Sequence, residues 1–151
     1  MMRIAVAFDH RGVALREAVL EALGGHDVID LGTHDASVRI DYPDKAREVG
    51  EAILAGDAER GILVCGSGVG ASVAASKLAG VRAAICHDVY SAHQGVEHDD
   101  LNALCLGSEV VGPALAVDLV RAFLHARFEG GEPYTRRLRK IEELEKGTAN
   151  V

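Results

Sequence analysis

The sequence predicts a doubly wound α/β fold: a five-stranded parallel sheet in a Rossmann-like three-layer sandwich, with one further helix at the C-terminus. Three observations predict it. Short apolar runs alternate with segments of helical periodicity along the chain, the signature of repeated βα units and hence of a parallel sheet covered on both faces. Glycine and proline punctuate the segments where helices stop and start. The 151 residues, 48% of them apolar, suffice for one domain with a real core, and residues 1–151 show no linker, low-complexity tract or repeat.

The elements follow in order. Arg3–Phe8 is the first strand. Val13–Leu23 carries apolar residues at helical spacing and stops at Gly24-Gly25. His26–Leu31 is strand-like, and Thr33–Pro43 reads as a polar loop. Asp44–Ala55 is a helix ended by Gly56. Gly61–Cys65 is the third strand and Gly70–Ala79 its helix. Val81–Cys86 is the fourth strand, Asp88–Val96 a short helix, and Asn102–Leu106 the fifth strand. Pro113–Phe128 is a helix with proline at its start. Pro133–Lys146 is a strongly charged helix suited to solvent or to a partner.

Composition removes several functions. A net charge of −7 disfavours nucleic acid and anionic membrane surfaces as partners. No apolar stretch approaches a bilayer span, and the N-terminus runs directly into a strand, with no signal peptide expected. Three cysteines without paired spacing fit free thiols and a cytoplasmic location better than a disulfide framework. Cys86 and Cys105 sit inside apolar runs and read as core. His26, His34, His87, His93 and His125 read as structural or solvated. Histidine and acidic residues cluster between His87 and Asp100, but their spacing matches no standard ligand pattern, so neither metal nor cofactor is expected.

The chemistry concentrates in Cys65-Gly66-Ser67-Gly68-Val69-Gly70. A thiol at the carboxyl end of a buried strand meets the amino end of a helix, where free N–H groups and the helix dipole favour an anion. A base, a hydroxyl and an oxyanion cradle thus fall within one loop. In parallel sheets ligands lie at the carboxyl ends of the strands. That rule adds Asp9 and His10 after the first strand and His87-Asp88 after the fourth. A rival reading takes Gly66 to Ala71 as a loose G-x-G-x-x-A, with Asp88 about twenty residues on, as in dinucleotide-binding folds. It falls on the third strand with no catalytic domain behind it, and is the weaker match.

Taken together, Phe8-Asp9-His10 with Gly12, Asp41-Tyr42-Pro43, Cys65 to Gly70, Ala75-Ser76-Lys77, Gly80-Val81-Arg82-Ala83, Asn102-Ala103-Leu104, Gly107-Ser108, Val110-Val111-Gly112 and Phe128-Glu129-Gly130-Gly131 resemble the type B ribose-5-phosphate isomerases and the related galactose-6-phosphate isomerase subunits. The resemblance covers almost the whole chain. It implies cofactor-free aldose–ketose isomerisation through an enediol, in a homodimer, or a dimer of dimers, with sites shared between subunits. It implies Cys65 as the base, Ser67 as the proton shuttle, His98 as the ring opener and Asp9 as the group orienting substrate hydroxyls. The N–H groups of Gly66, Gly68, Val69 and Gly70 would hold the enediolate. Tyr42 would line the pocket, and His10, Asp99 and Arg136 would contact substrate. One subgroup places a glutamate base in this loop. Here Ala71 stands at that position, which leaves Cys65.

The pattern departs at the phosphate end. Glu109 and Glu132 stand where the family carries arginines, and Asp99 replaces an asparagine after His98. A carboxylate near a phosphate dianion is repulsive, and it cannot donate a hydrogen bond as an amide can. A sugar of another length, or one without a phosphate, is therefore an expected substrate, unless Arg82, Arg137 or Arg139 supplies the missing cation. A non-catalytic sugar- or nucleotide-binding protein on the same fold is the alternative.

Overall fold

The computed structural model describes residues 1–149. Five parallel strands form one sheet: β1 Arg3–Phe8, β2 Asp27–Asp30, β3 Arg60–Cys65, β4 Ala83–Ile85 and β5 Ala103–Gly107, in the order β2-β1-β3-β5-β4. The helices are α1 Arg16–Ala22, α2 Tyr42–Leu54, α3 Val69–Ala75, α4 Val89–Asp99, α5 Pro113–His125 and α6 Tyr134–Ala149. The chain winds outward from β1 to β2, then returns past β1 to β3. That reversal opens a crevice at the carboxyl ends of β1 and β3, where doubly wound sheets place their ligands.

The central strands β1, β3 and β5 are buried on both faces, which gives two cores. Ile4, Val6, Phe8, Ile62, Val64, Leu104 and Leu106 pack against α1, α4 and α5 through residues such as Val19, Val96, Leu119 and Phe123. Ala5, Ala7, Leu63, Cys65, Ala103 and Cys105 pack against Ala46 and Val49 of α2 and Ala71 and Ala75 of α3. The predicted three-layer architecture is the observed one.

Several boundaries differ from the sequence expectation, each for a physical reason. The predicted helix Val13–Leu23 is a 3₁₀ turn over Gly12–Leu15 followed by α1. Asp9 Oδ1 accepts the N–H groups of Arg11 and Gly12 at 2.9 and 2.8 Å and starts the turn early. Helix α2 begins at Tyr42 rather than Asp44, because Pro43 suits the first turn of a helix. Helix α3 is seven residues long and ends at Ala75, short of the predicted Ala79. Helix α4 runs three residues past the predicted Val96 to Asp99, which moves His98 from an acidic turn onto its last turn. Asp88 is the N-cap of α4, accepting the Ser91 N–H at 2.7 Å. Helix α5 stops at His125 instead of Phe128. The Arg60 guanidinium takes the carbonyl of Phe123 and that of Ala126, the latter at 2.7 Å, and so satisfies the orphan end of the helix.

Candidate active site

The crevice is fixed by main-chain bonds. Asp9 N–H donates to Val64 O at 3.1 Å, which locks the end of β1 beside β3. Asp9 is only 5% exposed, and its Oδ1 is committed to the turn that follows. His10 Nδ1 lies 3.3 Å from Ile40 O and 3.2 Å from Ile40 N, which ties the 33–41 loop to the crevice wall.

Cys65 ends β3 as a buried residue, and the Gly68 N–H donates to its Sγ at 3.2 Å. Gly68 has φ +82°, a left-handed conformation that favours glycine. Ser67 is exposed, and its Oγ accepts the Val69 N–H at 3.2 Å. Among the described residues, the N–H groups of Ser67, Gly70 and Ala71 have no acceptor within the chain. They are donors available to a developing oxyanion. Two side chains clasp this loop. Arg11 lies across Gly66, where a Cβ would come within 2.5 Å of its Nη1, and the Tyr42 ring lies across Gly70, where a Cβ would meet Cζ at 2.5 Å. Arg11 is also paired with Glu109 at 3.7 Å.

Beneath the loop, His87 Nε2 accepts the Gly107 N–H at 3.0 Å. Burial holds His87 below the ordinary imidazole pKa, so the ring is neutral with its proton on Nδ1. The other two thiols are buried as Cys65 is. Burial first, then the Asp88 charge, pushes Cys86 up to about 11. Burial raises Cys105, which is fully enclosed, further still. Both are core thiols, as the sequence predicted.

His98 is not part of this crevice. Helix α4 returns from the carboxyl end of β4 to the amino end of β5, so its last turn sits at the opposite edge of the sheet. Five strand residues separate the edges in β5, a span of roughly 15 Å. There His98 stacks on Tyr134, with ring centroids 4.4 Å apart. The Gln94 amide is 2.7 Å from His98 Nδ1, and Glu129 Oε1 lies 3.7 Å from Nε2. Arg136 and Arg139 reach Glu132 at 3.7 and 3.0 Å on the adjoining start of α6. Glu97, His98 and Glu129 place ligand atoms within 4.8 Å of one another and could hold a cation. All three are partly solvent-exposed. Asp99 points elsewhere, into a groove lined by Arg82, Leu101 and Ile141.

The structure thus brings together Asp9, His10, Tyr42, Cys65, Ser67 and Gly66 to Gly70 at one edge, and His98 and Arg136 at the other. Glu109 and Glu132 are divided the same way. Arg11 escapes the sequence reading of the site, and His87, a strand-end candidate there, is read as structural or solvated. Arg11 lay inside a motif already singled out, two residues after Asp9.

Its relatives place this fold and site among the aldose–ketose isomerases. The ribose/galactose isomerase family model matches residues 4–141, and the chain belongs to that family. The ribose-5-phosphate isomerase B of Escherichia coli is 44% identical over 147 residues, covering 96% of this chain and 97% of the relative. The D-erythrulose-4-phosphate isomerase of Pectobacterium atrosepticum is 38% identical over 133 residues, 87% of this chain and 88% of its own. The ribose-5-phosphate isomerase B structure of Clostridium thermocellum superposes with a TM-score of 0.92 at 44% identity, covering 97% of this chain and 99% of that one.

Proposed function

We propose that the protein interconverts a short phosphorylated aldose and its ketose through an enediol, in sites completed by a second copy of the chain. The observation that carries this is the Cys65 thiol at the head of a loop whose N–H groups await an oxyanion. Cys65 takes the proton from the carbon beside the carbonyl and returns it to the neighbouring carbon. The unpaired N–H groups of Ser67, Gly70 and Ala71 hold the enediolate oxygen. The Ser67 hydroxyl passes a proton between the two substrate oxygens. The second oxygen of Asp9, free of the turn, orients a hydroxyl, and Tyr42 closes the side of the pocket. No metal step is required.

Ring opening falls to His98. It lies too far from Cys65 within one chain, so it acts in the crevice of a partner, brought there with Arg136. The same separation supports a homodimer. Three free cysteines fit a reducing, cytoplasmic setting.

A phosphorylated substrate is favoured by the ion pairs. Glu109 is matched by Arg11, and Glu132 by Arg136 and Arg139. Three guanidinium groups against two carboxylates leave a net positive phosphate end. The relatives above are named for phosphorylated four- and five-carbon sugars, and both lengths belong in the assay. The test compares kcat/KM for D-ribose 5-phosphate, D-erythrulose 4-phosphate and the free pentoses. Turnover of a free pentose alone overturns the phosphorylated reading. No turnover of any of them removes the isomerase reading for these sugars.

A further inference from the structure

Resting on that reading, we infer that Arg11 is a specificity-determining residue, whose guanidinium takes the phosphate of the substrate, with Glu109 as its positioning residue. Three observations carry this. First, Arg11 is held where a substrate would pass. Its N–H donates to Asp9 at 2.9 Å and its carbonyl accepts the Ser108 hydroxyl at 2.7 Å, so its backbone bridges the loops after β1 and β5. Its side chain then crosses Gly66, one residue from Cys65, at the crevice mouth.

Second, the guanidinium lies directly on the loop: a Cβ at position 66 would meet its Cζ at 2.3 Å, so a side chain there would push the end of Arg11 aside. Third, the Glu109 pair is a poor reason for this placement on stability grounds. At 3.7 Å, with both side chains more than half exposed, such a pair contributes little. It does restrain a long, flexible side chain to one side of the crevice. A guanidinium so held presents two parallel N–H donors to a phosphate, which an ammonium cannot match. The cation expected at position 109 is thus supplied from position 11.

The test uses the full-length protein and the variants Arg11→Met, Arg11→Lys and Glu109→Gln. Inorganic phosphate is the probe, by calorimetry and as a competitive inhibitor. In Arg11→Met, phosphate binding should weaken about ten- to a hundredfold, and KM for the phosphorylated pentose should rise by a similar factor. The effect should fall on KM rather than kcat. Arg11→Lys should recover part of the loss, and Glu109→Gln should shift phosphate affinity in the wild type but not in Arg11→Met. Unchanged phosphate binding in Arg11→Met overturns the inference, as does an equal loss for phosphorylated and free sugars. Calorimetry decides this even if the enzyme turns over none of the sugars, so failure of the inference is separable from failure of the isomerase reading.

Discussion

The two edges of the sheet are built by different means. At the carboxyl edge the Cys65 loop is held by main-chain bonds, glycines and buried neighbours. At the amino edge His98, Glu132 and Arg136 are held mostly by side-chain contacts at partly exposed helix ends and the loop between α5 and α6, where the main chain adds the Glu129 N–H bond to Glu97 O at 3.0 Å. Main-chain anchoring gives the small positional error that proton transfer demands. Side-chain anchoring at a surface allows adjustment when another molecule arrives. The contrast separates a rigid loop from an adaptable surface cluster, the two halves that the proposed shared site would bring together.

The largest expected effect breaks the first half. Cys65→Ala should lower kcat at least about a hundredfold, with circular dichroism and oligomeric state unchanged. If more than a tenth of the rate survives, the proton transfer belongs to another group. Next comes the pairing of the halves. Cys65→Ala and His98→Ala chains, each inactive alone, should recover about a quarter of wild-type activity when mixed at random, because half the dimers are hybrids with one whole site in two. Zero recovery after mass spectrometry has shown subunit exchange rules out the shared site.

A smaller effect sharpens the contrast among thiols. Iodoacetamide at pH 8 should label Cys65 and inactivate the enzyme, while Cys86, raised to about 11, and Cys105 stay unlabelled. Peptide mapping checks it. Labelling of Cys86 at a comparable rate would show that its core opens.

The smallest effect is in pH. His87 titrates lower in the fold than in the unfolded chain, so the unfolded state binds more protons below its ordinary pKa. Its contribution to stability is therefore full above about pH 6.5 and declines as pH falls below that value. Protonation would also cost the Gly107 N–H its acceptor. The urea midpoint should drop between pH 7.5 and 5.5, and His87→Gln should flatten that slope. An unaltered slope would assign the effect to the other histidines.

How much of this could be read in the sequence depends on how local the cause was. The Cys65 loop was legible because thiol, glycines and helix start are contiguous. The alternation of elements was legible because each helix carries its own periodicity. Helix ends were not. The last turn of α5 is set by Arg60, which is 63 residues away from Phe123 in the chain. The Arg11–Glu109 pair was invisible for the same reason, and Glu109 alone looked like an unopposed carboxylate. The position of His98 is intermediate. Its place in the order of elements already puts it at the amino edge, once α4 is known to extend to Asp99.

For the shared sites proposed above, that opposition of edges also dictates symmetry. Two copies can complete each other's sites, and then stop, only by lying side by side with their strands running in opposite directions about a two-fold axis. Each crevice then meets the partner's His98, and the two whole sites sit about one strand length apart. Stacked end to end, with strands pointing the same way, the copies would fill one site at each junction and leave an open half at both ends. Nothing in such a stack limits growth, and it would lengthen into a fibre. Under that proposal, a complete pair of sites and a closed dimer are one geometric condition.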